Sequence, residues 1–182
     1  MIRDHTSALS ATSSNSFIAG DIVSILRERG WLSSTPSPEH LLWCERAASL
    51  LGSHAVDREA LVELLRMVFH YDAATLLAQV ETHMILSRHG ARDVLRELAM
   101  ALLDGGPLTS DHFKEIIDAM KFSLDLGSRD IFQPLRLALA GRAGGGELDR
   151  VILLLDPAAA LPFDAPVKSA RQRILEFCAA LD

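Results

Sequence analysis

Residues Gly127-Ser128-Arg129-Asp130-Ile131-Phe132-Gln133-Pro134-Leu135-Arg136-Leu137-Ala138-Leu139-Ala140-Gly141 constrain the fold most tightly. A glycine turn opens the stretch. Asp130 reads as an N-cap, because a carboxylate there accepts the free amides of a first helical turn. A short helix follows, carrying Pro134 early and Arg136 on its buried side, and Gly141 stops it. Arg142-Ala143-Gly144-Gly145-Gly146 then forms a joint, and Glu147-Leu148 starts another helix. The order is helix, glycine stop, loop, helix, and no run of strand period competes with it.

The same punctuation recurs upstream. Asp21 is placed to cap a helix that buries Ile22, Ile25 and Leu26 and stops at Gly30. Ser37-Pro38 is a serine cap with proline in the first helical position, before Leu41, Leu42, Ala48 and Leu51. Asp57 caps a helix with Leu61, Leu64, Leu65 and Val68 at helical spacing. Asp72 begins a longer helical region through Leu76, Val80, Ile85 and Leu86, which Gly90 breaks. A helix from Ala91 ends at Asp104-Gly105-Gly106-Pro107, the best candidate joint between subdomains. Thr109 or Ser110 starts a helix with Phe113, Ile116, Ile117 and Met120; later come a helix from Glu147 to Leu155, a connection from Pro157 to Pro166, and a last helix from Val167. Phe113, Ile117, Leu135, Leu139, Ile152 and Leu155 are the expected core of the later part.

Composition supports a helical chain: 49% of residues are hydrophobic but only 5% aromatic, so Leu and Ala, both strong helix formers, fill the core. The net charge of −6 is the wrong sign for affinity resting on phosphate neutralisation, which lowers the expectation of strong autonomous nucleic-acid binding. Arg129, Arg136, Arg142 and Arg150 alternate with Asp130, Glu147 and Asp149 and make no basic cluster. Two distant cysteines, Cys44 and Cys178, give no disulfide framework and fit a reducing cytoplasm. The Ser- and Thr-rich start has no apolar segment of a signal peptide, and Val151–Leu155 is too short to span a bilayer.

The Pro134-Leu135-Arg136 element, with its apolar helix closed by Ala140-Gly141, resembles the C-terminal anticodon-binding half of bacterial glutamyl-tRNA synthetases. The likeness is strongest over residues 109–155 and is carried by helix order over 17–106. It implies an all-α fold of two small helical subdomains, a first over 17–106 and a second over 107–182 bearing the signature, while the polar small residues of 1–16 read as a flexible N-terminal tail. It also implies a stand-alone or truncated relative, since the His-Ile-Gly-His-type and Lys-Met-Ser-Lys-Ser-type signatures of the catalytic half are absent. An initiating Met and a polar tail favour a free-standing product.

Carried over position by position, the resemblance puts Arg136, Gly145, Gly146 and Leu148 against the anticodon bases. Family members often have proline where this chain has Gly146, and the Asp156-Pro157 break is a second departure. The competing role for Arg136 is an ion pair with an acid such as Asp130 or Glu147. Gly144-Gly145-Gly146 lacks the flanking signatures of a phosphate-binding loop and reads as an inter-helix joint. His40 and Cys44 lie four apart, and His83 and His89 six apart, yet neither pair has the three or four ligands that zinc requires. An exposed His40 beside a partly buried Cys44 is expected, with no metal and no cofactor. The implied partners are a tRNA, through the tRNA-Glu anticodon arm, or a synthetase catalytic subunit, with no membrane. The alternative is a helical protein-interaction module that kept the fold and lost RNA binding. The charge, the dispersed arginines and the lack of an aromatic stacking surface support it, with Phe132 read as core.

Overall fold

Side-chain oxygens start five of the helices in the computed structural model, which describes residues 16–182. Residues 1–15 of the expected tail lie outside the described residues. The helices are α1 (Ala19–Glu28), α2 (Pro38–Leu51), α3 (Arg58–Phe69), α4 (Ala73–Leu77), α5 (Val80–Leu86), α6 (Ala91–Asp104), α7 (Ser110–Leu124), α8 (Ser128–Ala140), α9 (Glu147–Ile152), α10 (Leu155–Ala159) and α11 (Ala170–Leu181). The described residues contain no strand.

Ser37, Asp57, Asp72, Thr109 and Ser169 accept backbone amides of the first turns of α2, α3, α4, α7 and α11. Two expected caps move inward. Asp21 is the third residue of α1 and accepts the Ile18 amide at 2.8 Å. Asp130 is the third residue of α8, because the chain turns helical just after Gly127. Both carboxylates still lie in the first turn, where the helix dipole favours negative charge.

Other boundaries differ as well. The region from Asp72 to Leu86 is two helices, α4 and α5, broken at Ala78-Gln79, and Val80 is exposed. The inward face of α2 is His40, Trp43, Cys44, Ala47, Ala48 and Leu51, leaving Leu41 and Leu42 outside. That set follows the helical spacing of Trp43, which joins Trp31, Phe69 and Phe163 in an aromatic cluster. Trp31 stacks on Phe69 with centroids 4.6 Å apart, and Trp43 meets Phe163 edge-on at 5.3 Å. The helix from Glu147 stops at Ile152, and Pro157 lies inside α10. The last helix begins at Ala170, capped by Ser169.

The six expected core residues of the later part are all buried. α11 packs on α4, α6 and α8, so its inner face closes the core built by the earlier helices. From it Arg173 enters the interior, fully buried. Its guanidinium donates to the carbonyls of Met67 (2.8 Å), Val68 (2.6 Å), Leu139 (2.9 Å) and Lys168 (3.1 Å). Three of these carbonyls end α3 and α8, where helices carry partial negative charge. Burial pulls the Arg173 pKa down to about 10, which keeps it charged at neutral pH. Tyr71 lies 4.7 Å beneath the guanidinium, and its hydroxyl donates to the Ala138 carbonyl at 2.5 Å. One cation thus fixes the C-terminal end of α8, where the loop of interest begins.

Candidate nucleic-acid interface

α8 ends in Gly141, whose φ of 83° is the left-handed conformation that reverses the chain without a side-chain penalty. The loop over 141–146 then folds back along the helix that precedes it. Arg136 faces this loop, and Phe132 lies one turn before it on α8.

Arg136 is engaged within the chain. Its Nε donates to Asp149 Oδ1 at 2.7 Å and its Nη2 to Asp149 Oδ2 at 2.8 Å, a bidentate pair. Its Nη1 donates to the Gly144 carbonyl at 2.9 Å. The guanidinium stacks 4.5 Å over the Phe132 ring, and Lys121 approaches the same ring at 6.0 Å. The side chain of Arg136 is 14% exposed and that of Asp149 21%. The acid is therefore Asp149, in the first turn of α9, and not Asp130 or Glu147.

Glu147 has a different task. Its carboxylate accepts the Gly145 amide at 3.1 Å and sits where a Cβ on Gly145 would meet it at 2.6 Å. Gly145 and Gly146 are exposed. Leu148 is 2% exposed, and its amide donates to the Gly145 carbonyl at 3.1 Å. Of the four residues that resemblance selected, two are presented at the surface, and two hold the loop from beneath.

Two aromatic placements escaped sequence reasoning. Phe132 is half-buried between cations at the core's edge instead of within it. Phe122, next to Lys121 near the end of α7, is 93% exposed. Its only signal is that it falls off the Phe113, Ile116, Ile117, Met120 spacing. An exposed aromatic beside a cation is the kind of surface on which unpaired bases stack.

The histidine reading needs correction. His40 is buried, not exposed, because its Nδ1 accepts the Ser37 amide at 3.1 Å and its ring packs on Phe163. Burial pushes the Cys44 thiol up to about 12, which keeps it protonated at neutral pH. No group of three or more His, Cys, Asp or Glu among the described residues could hold a metal ion. Among the described residues no helix is long and apolar enough to cross a membrane.

The family described as anticodon binding domain matches residues 24–161. Glutamate--tRNA ligase of Exiguobacterium sibiricum is 28% identical over 130 residues, covering 71% of this chain and 26% of that enzyme. The same-named enzyme of Carboxydothermus hydrogenoformans is 27% identical over 137 residues, covering 72% of this chain and 27% of the enzyme. Glutamate--tRNA ligase 2 of Syntrophus aciditrophicus is 31% identical over 84 residues, covering 46% and 15%. The chain thus spans only about a quarter of the length of the first two relatives. No solved structure matches it. With its matched region lying on an all-helical fold, the chain belongs to the anticodon binding domain family found in glutamyl-tRNA synthetases.

Proposed function

We propose that this chain is a non-catalytic module that recognises the anticodon arm of a tRNA, with tRNA-Glu as the first candidate. The observation that carries this reading is the family match over residues 24–161. The aligned region is about a quarter of the relatives, so no aminoacylation is assigned to the chain. It acts as a fragment, a split subunit beside a synthetase catalytic subunit, or a free-standing paralogue, in the cytoplasm. In this reading Gly145 and Gly146 let RNA approach the backbone closely, Arg136 meets the anticodon bases, and Leu148 sets the loop's shape.

One observation favours the second reading, a helical protein-interaction module that has lost RNA binding. Arg136 spends Nε, Nη1 and Nη2 on partners within the chain, so a base contact has to displace Asp149 or Gly144. The two readings separate in a binding titration at one fixed salt concentration. The ligands are tRNA-Glu and an anticodon-altered copy; the proteins are wild type, Arg136→Ala and Arg150→Ala. The RNA reading expects Arg136→Ala to lose about 1–3 kcal/mol and to blur anticodon preference, with Arg150→Ala near wild type. Equal losses by both variants on both RNAs would mean a diffuse electrostatic contact. Absence of wild-type binding would leave the interaction module.

A further inference from the structure

α3 and the turn after α8 converge on a cleft of about 330 Å3. Glu63 and Arg66 come from α3, and Arg142 comes from the turn, directly after Gly141. Glu63 is shared between the two cations. Its Oε1 lies 3.3 Å from Arg66 Nη2, and its Oε2 lies 3.6 Å from Arg142 Nη2. The side chains are 39% (Glu63), 44% (Arg66) and 59% (Arg142) exposed.

We propose that this cleft is an RNA phosphate site, in which Arg66 and Arg142 grip one backbone phosphate and Glu63 tunes affinity by competing for the same two guanidiniums. Two guanidiniums converging on one carboxylate already have the arrangement that a phosphate uses, because both anions present paired oxygens to planar N–H forks. Glu63 occupies the position those phosphate oxygens would take. Exposed pairs of this kind are worth at most about 1 kcal/mol, so exchanging the carboxylate for a phosphate costs little. The second carboxylate of the cleft, Asp72, is turned to its own helix: it accepts the Ala74 amide at 3.1 Å and the Thr75 hydroxyl at 2.7 Å. Arg142 also lies in the same connection as Gly145 and Gly146, between them and the end of α8. Arg136 cannot take this role without breaking its pair with Asp149, whereas Arg142 has only to leave Glu63. The proposal rests on the RNA reading above and names the cations that reading lacked.

The test is tRNA-Glu affinity as a function of salt for the intact chain and for Glu63→Gln, Arg142→Ala and Glu59→Gln. Glu59 is a control on the same helix, exposed and paired loosely with Arg29 at 3.9 Å. Glu63→Gln should bind about two- to fivefold tighter, the factor that loss of a competing surface pair supplies. Arg142→Ala should bind more weakly, equally for both anticodons, with a salt slope about 0.7–0.9 shallower, the signature of one lost phosphate contact. Glu59→Gln should stay near wild type. Equal tightening by Glu59→Gln overturns the site, since any lost negative charge would then do. A weaker Arg142→Ala with an unchanged slope also overturns it, because the residue would be shaping the loop. Wild-type binding that neither cleft variant alters removes the cleft alone, whereas no binding by wild type or Glu63→Gln removes the cleft and the RNA reading together.

Discussion

Arg136 shows how a side chain can stand out in a sequence while its partner stays hidden. Its type and its position after Pro134-Leu135 were legible, because an arginine inside an apolar helix needs a partner. The partner was not. Glu147 is nearer in sequence, yet its carboxylate turns back to the Gly145 amide, and Asp149 comes into reach only once α9 is docked. Such a choice depends on tertiary register, which spacing along one helix does not encode. The pair is less than a quarter exposed on both sides, so it is more than a surface contact. We expect Arg136→Ala and Asp149→Ala each to cost about 1–3 kcal/mol in urea denaturation. The double variant should cost little more than the worse single one, because both remove the same clamp. Fully additive losses would show that the two residues act independently.

At the scale of elements, caps and glycine stops were the readable part. Ser37, Asp57, Asp72 and Thr109 begin helices as their chemistry dictates, and Gly30 and Gly141 stop two of them in the left-handed conformation. Short helices were not readable. α4 has five residues, too few for a helical period to show, and it merged with α5 in the sequence. Asp156-Pro157 read as the end of a helix. Pro157 instead takes the third position of α10, where a missing amide removes no intrahelical bond. Asp156 turns this departure from the family pattern into a docking device. One of its oxygens accepts the Leu108 amide at 2.6 Å and the other the Ala170 amide at 2.9 Å. It thereby ties α10 to the segment before α7 and to the first turn of α11. Asp156→Ala should lower stability by about 2–4 kcal/mol, since two partly buried amides lose their acceptor. A thermal midpoint within error of wild type would show that α11 docks without it.

For the whole molecule, the all-helical class was legible and the way its helices meet was not. Arg173 looks like a solvated arginine on an amphipathic helix, yet it is the buried cation that joins the ends of α3 and α8 to α11. Helices from both sides of residue 106 meet in these contacts: α6 packs on α8, and α11 packs on α4 and α6. The division at 106 is a proposal about connectivity, and we infer that the two parts unfold together. Charge sets the remaining question. A net −6 has to be overcome by local cations, and those lining the cleft beside Gly141 are Arg66 and Arg142, with Lys121 beside Phe122 on α7. The most direct measurement is the affinity of the intact chain for tRNA-Glu and for an anticodon-altered copy, from about 50 to about 200 mM salt. The account predicts tighter binding of the unaltered anticodon, with log K falling linearly against log salt at a slope of about −0.7 or steeper, that of one phosphate contact on a single strand. Binding that ignores both salt and anticodon, or no binding at the lowest salt, would contradict it.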